Sequence, residues 1–384
     1  MIQRAVTERL LKLAKSFRSV AVVGPRQSGK TTLCRKVFPN KPYISLENPD
    51  TLEFATKDPR AFLSQFPNGA ILDEVQKAPN LFSYLQQILD ETTKKGLFVL
   101  TGSNNFLLQE NITQTLSGRI AYIQLLPLSL QELRNSKKLK AKYDWHIFNG
   151  GYPEQIARKI NATDWYNAYI STYIERDVRQ LKNISSLSLF MKLLRLCAGR
   201  TGQILNLASL ANDCGLDAKT VSSWLSILQS SYIIYLLKPH HQNFNKRIIK
   251  SPKLYFYDTG IACALLGITD IKQIATHASK GFLFENLLIS DLLKQKFNAG
   301  KADNLFYWRD KTGHEIDLLL DNGATFTAIE IKAGETLSDS FFKGLEYFDA
   351  LNENIVKKEL IYGGRQEQKR SNGIIVKPWN KLIE

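Results

Sequence analysis

Residues 24–31 read Gly-Pro-Arg-Gln-Ser-Gly-Lys-Thr, the spacing G-x-x-x-x-G-K-[ST] of a phosphate-binding loop. The chemistry accounts for the spelling. Gly24 and Gly29 let the backbone bend so that successive N–H groups point at phosphate oxygens. The start of the following helix adds the positive end of a dipole. Lys30 is placed to reach the β- and γ-phosphates, and Thr31 to offer a hydroxyl to Mg²⁺. Nucleotide contacts are therefore expected from Gly24, Pro25, Arg26, Gln27, Ser28, Gly29, Lys30, Thr31 and Thr32. A second motif turns binding into hydrolysis. Gly69-Ala70-Ile71-Leu72-Asp73-Glu74 is a short buried-strand pattern ending in two carboxylates. Asp73 is the expected Mg²⁺ residue. Glu74 is the expected general base on the attacking water. An acidic turn after a strand is common by itself, and the pairing with Lys30 is what gives it meaning.

Two further positions belong to the same chemistry. Thr101-Gly102-Ser103-Asn104 ends another apolar run. Ser103 and Asn104 either sense the γ-phosphate and position water, or form an ordinary turn. Arg119 either acts as an arginine finger on a neighbouring subunit's nucleotide or is a surface arginine.

The C-terminal third holds a second constellation. His314-Glu315-Ile316-Asp317 leads through a turn, Asp321-Asn322-Gly323, to Ile329-Glu330-Ile331-Lys332. A hairpin folded near residue 323 sets Asp317 almost opposite Glu330. Adjacent strands lie about 4.8 Å apart, close enough for the two carboxylates to share a divalent metal. Lys332 points to the same side as Glu330. The helical stretch Phe282 to Leu288 offers Glu285.

These residues need elements to hold them. Apolar runs at 19–23, 42–46, 69–72, 97–101 and 120–125 read as strands, and helical patterns such as 81–90 separate most of them. Alternation of this kind predicts an α/β fold with a parallel sheet covered on both faces. A strand between the loop strand and the carboxylate strand suggests the branch of P-loop folds with an inserted strand and a catalytic Glu. No Asn-Lys-x-Asp occurs, which favours ATP over GTP. Further on, residues 206–215 and 217–229 read as helix, Gly turn and helix, with apolar strands at 232–237 and 253–257. This pattern predicts a winged helix over 185–265. Lys219, Ser222, Ser223 and Gln229 would face a DNA groove. Lys246, Arg247, Lys250 and Lys253 would make phosphate contacts. The alternative is a winged helix that only packs on the rest of the chain. The expected domains are an ATPase core over 1–130, a helical lid or linker over 131–184, the winged helix over 185–265 and a last domain over 266–384.

Taken together, the chain resembles a widespread bacterial and archaeal family of AAA-type ATPases whose C-terminal part is a domain of unknown function. The resemblance rests on residues 24–31, Leu72-Asp73-Glu74-Val75-Gln76, Leu100-Thr101-Gly102-Ser103 and Leu116-Ser117-Gly118-Arg119. It continues through Gly150-Gly151-Tyr152-Pro153, Tyr173-Ile174-Glu175-Arg176-Asp177, residues 251–256 and Asp258-Thr259-Gly260. It implies ATP binding and hydrolysis. The order Glu285, Asp317, Glu330-x-Lys332 also resembles the restriction-endonuclease-like superfamily, PD-(D/E)xK. That likeness implies Asp317 and Glu330 as Mg²⁺ ligands, Lys332 as the residue that positions or activates the attacking water, and Glu285 as completing the metal shell or touching a metal-bound water. Ile316 stands where the superfamily's name has Pro.

Composition sets outer bounds. A length of 384 residues suits two or three domains, and 44% hydrophobic with 23% charged residues is ordinary for a soluble globular protein. No apolar stretch approaches a membrane helix, and the first residues lack a signal-peptide core. Four scattered cysteines read as free thiols, so a cytoplasmic location is expected. The net charge is +15, and residues 131–260 carry 19 Lys/Arg against 9 Asp/Glu. This basic middle points to DNA as partner, or is simply a basic surface. Three functions compete: an ATP-switched DNA-processing protein, a nucleotide-gated regulatory ATPase without nuclease activity, and an ATP-driven protein remodeller. A homo-oligomer would be required for Arg119 to act between subunits.

Overall fold

The computed structural model describes residues 2–103, 116–174, 186–240, 250–351 and 354–382. The chain forms two compact units. The first comprises Met1–Leu128, Ser230–Tyr232 and Lys296–Lys301, and the second Ser129–Gln229, Ile233–Gln295 and Ala302–Glu384.

The first unit is built on strands β1 (Ser19–Val23), β2 (Tyr43–Ser45), β3 (Ile71–Asp73), β4 (Phe98–Gly102) and β5 (Ile120–Gln124), ordered β2-β3-β4-β1-β5. Every pairing is parallel. Strands β1 and β4 are buried along their whole length, which is why they read as unbroken apolar runs. The strand that separates β1 from β3 in space is β4. The strand that separates them in sequence, β2, lies at the sheet edge. Val20, Val22, Ile71, Val99 and Ile123 pack with Leu33 of the helix Lys30–Val37 and with Leu10 of the helix Thr7–Ser16. Each such side chain contributes about 1.5–3 kcal/mol relative to exposure. This core fixes the ends of β1 and β3, where the two motifs sit.

The second unit carries a mixed eight-stranded sheet. Its strands are β6 (Ile234–Pro239), β7 (Lys253–Phe256), β8 (Leu305–Arg309), β9 (Glu315–Asp321), β10 (Phe326–Lys332), β11 (Ile355–Tyr362), β12 (Gln368–Lys369) and β13 (Ile374–Pro378). Their order is β12-β13-β11-β10-β9-β8-β6-β7. The helix–turn–helix pattern forms as Leu207–Cys214 and Ala218–Ser230. Asn206 caps the first helix, Gly215 ends it at φ 74°, and Asp217 accepts from the Thr220 N–H at 2.9 Å. Strands β6 and β7 form the expected antiparallel pair. Yet Lys238 and Pro239 of β6 also pair with Phe306 and Tyr307 of β8. The hydrogen-bonded sheet therefore runs across the boundary expected at residue 265. Between β6 and β7, Lys246 and Arg247 lie outside the described residues.

Residues 131–174 are mostly short helices, including Tyr143–Asn149, Pro153–Arg158 and Ala162–Tyr169. Buried Asp258 ties them to the segment after β7. Its carboxylate accepts from the Gly151 N–H at 2.7 Å, the Tyr166 hydroxyl at 2.7 Å and the Gly260 N–H at 3.0 Å. Side chains cannot be added here, because a Cβ at Gly150 or Gly260 would overlap the Tyr166 ring or hydroxyl. Two sequence motifs, Gly150-Gly151-Tyr152-Pro153 and Asp258-Thr259-Gly260, thus form one fastening. The expected motif residues Glu175, Arg176 and Asp177 lie outside the described residues.

Candidate functional site

The loop leaves β1 at Gly24, where φ is 153° and a Cβ would overlap the Leu125 carbonyl oxygen. Only glycine lets β1 and the residue after β5 approach this closely. Gln27 and Gly29 also take left-handed backbone, at φ 59° and 91°. Arg4 braces the loop from outside, donating to the Ser28 and Leu126 carbonyls, each at 2.6 Å. Lys30 is buried and donates to the Gly24 and Pro25 carbonyls at 3.0 and 2.8 Å. Its ammonium thus curls over the loop where phosphate oxygens would bind. Burial pushes the Lys30 pKa down, against the pull of Glu74 and Asp73.

Asp73 at the end of β3 gathers hydroxyls. Thr31 Oγ1 lies 3.1 and 3.0 Å from its two oxygens, Tyr43 donates at 2.7 Å, and Thr101 donates from β4. A carboxylate and a hydroxyl side by side are hard oxygen donors, the set that Mg²⁺ takes. Thr31 and Asp73 therefore fit a magnesium ion. Glu74, next in sequence, has left-handed backbone at φ 56° and ψ 46°, which turns the chain sharply out of β3. Such a non-glycine conformation costs about 1–3 kcal/mol and persists where surrounding contacts hold it. Here Ser103 donates to Glu74 Oε2 at 2.8 Å and Gln76 to the same oxygen at 2.5 Å. Burial works to raise the Glu74 pKa. Lys30, the Gln76 and Ser103 hydrogen bonds, and Arg26 outweigh it and hold the carboxyl below its ordinary value.

The structure thus brings Lys30, Thr31, Asp73, Glu74 and Ser103 together. Asn104 lies outside the described residues. Arg119 is committed to a two-point pair with Asp90, at 2.5 Å through Nε and 2.9 Å through Nη2. Tyr43 and Gln76 were not foreseen. Tyr43 sits on a strand whose place beside β3 is set by the sheet, and Gln76 acts through a turn that sequence patterns do not specify.

The second constellation lies wholly in the second unit. In the β9–β10 ladder Leu318 faces Ile329, so Asp317 and Glu330 occupy the next positions. Asp317 accepts from the Ile331 N–H at 2.8 Å. Lys332 bridges both carboxylates, at 3.0 Å from Asp317 and 2.6 Å from Glu330. Burial pushes Glu330 well up, and nearby Asp317 adds to it. Burial also works against ionised Asp317, but Lys332 and Lys253 hold it down to about 2. Glu285 is buried on the helix Lys280–Ala299 and faces different partners. Lys253 donates to it at 3.0 Å and Tyr255 at 2.6 Å. Burial raises Glu285 to about 7, with Asp317 adding and Lys253 opposing. Lys253 also pairs with Glu315, which Arg309 meets at 3.1 Å.

This corrects the expectation that Lys253 contacts phosphate from the surface. It is 3% exposed and lies at the centre of the cluster. Lys250, by contrast, is exposed. Asp317 and Glu330 share the Lys332 ammonium, whereas Glu285 is turned to Lys253 and Tyr255. Among the described residues no three His, Cys, Asp or Glu side chains group as a metal cage. Tyr255 and Glu315, and the place of Lys253 beside them, were missed because only the sheet order brings them to Glu285. No helix of the described residues is long and apolar enough to cross a membrane. All four cysteines are buried, and burial raises Cys34 and Cys197 to about 12, so these two thiols are inert.

Parts of the chain match known family models and proteins. Residues 140–272 match a family model described as Domain of unknown function (DUF8612), and residues 280–382 match Domain of unknown function (DUF4143). An uncharacterized protein of Mycobacterium tuberculosis is 28% identical over 387 residues, covering 99% of this chain and 84% of that one. One of Methanocaldococcus jannaschii is 22% identical, covering 78% and 71%. Among solved structures, the Walker-type ATPase of Pyrococcus abyssi gives a TM-score of 0.47 at 14% identity, covering 69% of this chain and 96% of that one. AMPPCP-bound DnaA from Aquifex aeolicus gives 0.28 at 14%, covering 58% and 85%. Residues 16–134 match the family model described as AAA domain, and with the loop and the strand order this match supports an AAA-type P-loop ATPase in the first unit.

Proposed function

We propose that the chain hydrolyses ATP in its first unit and couples nucleotide state to DNA contact or processing by its second. The observation that carries the first half is the hydrogen-bonded set Lys30, Thr31, Asp73, Glu74 and Ser103 at the ends of β1, β3 and β4. The loop N–H groups and Lys30 bind the phosphates. Thr31 and Asp73 are the residues that would hold Mg²⁺, which supplies neutralising charge when bound. Glu74, kept ionised by its neighbours, takes the proton from the attacking water. Ser103 and Gln76 both donate to Oε2, and Oε1 is the oxygen assigned to that proton. ATP turnover by wild type, Lys30→Ala and Glu74→Gln tests this. Lys30→Ala should lose nucleotide binding. Glu74→Gln should bind ATP yet lose turnover by about 10²–10⁴-fold. Turnover in Glu74→Gln equal to wild type would remove Glu74 as the base.

The DNA half rests on the basic composition of residues 131–260 and on the helix Ala218–Ser230, whose Lys219, Ser222 and Ser223 are exposed. Phosphodiester cleavage is the processing step read from the Asp317, Glu330 and Lys332 set, in which Asp317 and Glu330 would hold a divalent cation and the cation would supply charge for the leaving phosphate. A second reading, a nucleotide-gated ATPase that does not cut, is favoured by one observation. Lys253 and Lys332 already pair with Glu285, Glu315, Asp317 and Glu330.

A further inference from the structure

Three hydroxyls reach the Asp73 carboxylate from three different elements. Thr31, on the helix Lys30–Val37, touches both oxygens. Thr101, on β4, donates to Oδ1, and Tyr43, on β2, donates to Oδ2 at 2.7 Å. These donors part ways when Mg²⁺ is bound. Thr31 is then a ligand, so its oxygen has to turn from Asp73 to the cation. Thr101 and Tyr43 hold one oxygen each. Two donors on opposite oxygens fix the plane of a carboxylate that would otherwise rotate about its last bond. Tyr43 does this from the sheet edge, on a strand of three residues paired with β3. Ser45 faces Asp73 in that register, so Tyr43 stands two residues earlier on the same face and spans the diagonal with its ring. The ring is half-buried and packs on the core that includes Val20, Val22 and Ile71. The Arg35 guanidinium lies 4.9 Å from the ring centre on its other contact. A phenylalanine would make the same packing. What the hydroxyl adds is a charge-assisted hydrogen bond to a buried carboxylate.

We infer that Tyr43 is a positioning residue for the cation of the ATP site: by pinning Asp73 Oδ2 it sets how tightly Mg²⁺ is held beside the nucleotide. The inference rests on the nucleotide-binding part of the reading above, not on turnover. Two effects of the hydroxyl oppose each other. Its hydrogen bond draws charge from the carboxylate, which weakens the pull on a cation. It also holds the carboxylate in one orientation, which strengthens that pull. Orientation is the larger effect, since partners of this kind are worth about 10–100-fold in metal affinity. Without the hydroxyl, Thr101 alone pins the carboxylate, at Oδ1, and Oδ2 can swing. Lys30 and the loop meet the phosphates without help from Tyr43, so nucleotide binding in the absence of metal is untouched.

The test uses the full chain and calorimetric binding of ADP and of the non-hydrolysable analogue AMPPCP, first in EDTA and then across a Mg²⁺ titration. Tyr43→Phe should bind ADP in EDTA within about threefold of wild type, while the Mg²⁺ concentration needed for tight AMPPCP binding rises about 10–100-fold. Half-saturating Mg²⁺ for ATP turnover should shift by the same factor, and excess Mg²⁺ should restore kcat to within about threefold of wild type. Tyr43→Leu, which removes the ring as well, should match Tyr43→Phe in Mg²⁺ requirement and unfold at lower urea, which separates positioning from packing. A Mg²⁺ requirement in Tyr43→Phe within about threefold of wild type, or lower than wild type, overturns the assignment. So does ADP affinity in EDTA that falls as steeply as the Mg²⁺ affinity, because the hydroxyl then supports the loop and not the cation. A wild type that binds both nucleotides with no response to Mg²⁺ overturns it too. A wild type that binds neither nucleotide sinks the ATP reading and this inference with it. A Mg²⁺ requirement raised in Tyr43→Phe, in a chain that never turns over ATP, upholds the role of Tyr43 and sinks only the hydrolysis step.

Discussion

Lys253→Met should destabilise the second unit strongly, and by an amount that depends on pH. Lys253 is buried and donates to Glu285 at 3.0 Å, with Glu315 as its second partner. Removing one member of a buried ion pair costs about 3–5 kcal/mol, because the other charge is left unpaired. Glu315 keeps Arg309 at 3.1 Å, so the orphan is Glu285. Burial has already raised the Glu285 carboxyl from 4.5 to about 7 in the wild type. A carboxyl raised on folding adds stability that is full below 4.5 and is lost as pH rises through about 7. Without Lys253 its pKa moves higher still, so the variant keeps the proton where the wild type has released it. Below pH 7 both folded forms hold the proton and the difference is flat. Above pH 7 it grows by up to about 1.4 kcal/mol per pH unit. The penalty should thus be about 2 kcal/mol larger at pH 8.5 than at pH 6. Urea unfolding followed by tryptophan fluorescence is the assay. Trp145, Trp165, Trp224, Trp308 and Trp379 all lie in the second unit, so the signal reports the unit that carries Lys253. The double variant Lys253→Met/Glu285→Gln should recover most of the loss and lose the pH dependence. A Lys253→Met penalty under about 1 kcal/mol at pH 8.5, or one equal at both pH values, would refute the ion-pair account.

Other outcomes follow from the same sites. Gly344→Ala should cost about 1–3 kcal/mol, since a Cβ there would overlap Glu330 Oε1 and come within 2.9 Å of the Glu315 carbonyl oxygen. Unchanged urea midpoints would show that the helix Lys343–Asp349 can shift at no cost. If the second unit acts on DNA, binding should fall steeply between low and high salt. Any Mg²⁺-dependent cleavage should vanish in Asp317→Asn and Lys332→Ala. Salt-independent binding would count against phosphate contact, and cleavage retained in both variants would remove that site.

What the sequence made legible was local. The loop at 24–31 follows from fixed spacing, and its strand and helix lie next to it in the chain. The Asp317 and Glu330 pairing was readable because the turn at 321–323 sets the register of one hairpin. What stayed hidden depends on distant partners. Lys253 sits near Lys246, Arg247 and Lys250 in sequence, which made it look like part of a basic surface. Its true partners are 32 and 62 positions away, at Glu285 and Glu315. Arg119 likewise gave no hint of Asp90, 29 positions earlier. The place of β4 between β1 and β3 also required the folded sheet.

Asp258 has a practical consequence for dissecting the second unit. One carboxylate satisfies the Gly151 N–H, the Tyr166 hydroxyl and the Gly260 N–H, so stretches about a hundred residues apart share a single clasp. A truncation that ends anywhere between residues 167 and 257 keeps two of the three donors, Gly151 and Tyr166, and discards their acceptor. It leaves Gly151 and Tyr166 without a shared acceptor, beside a socket of Tyr152, Trp165 and Tyr169. Such a fragment should be insoluble for reasons unrelated to ATP or DNA. Fragments meant to isolate the helix pair Leu207–Cys214 and Ala218–Ser230 must therefore carry residues 150–166 and Asp258 together or break the clasp.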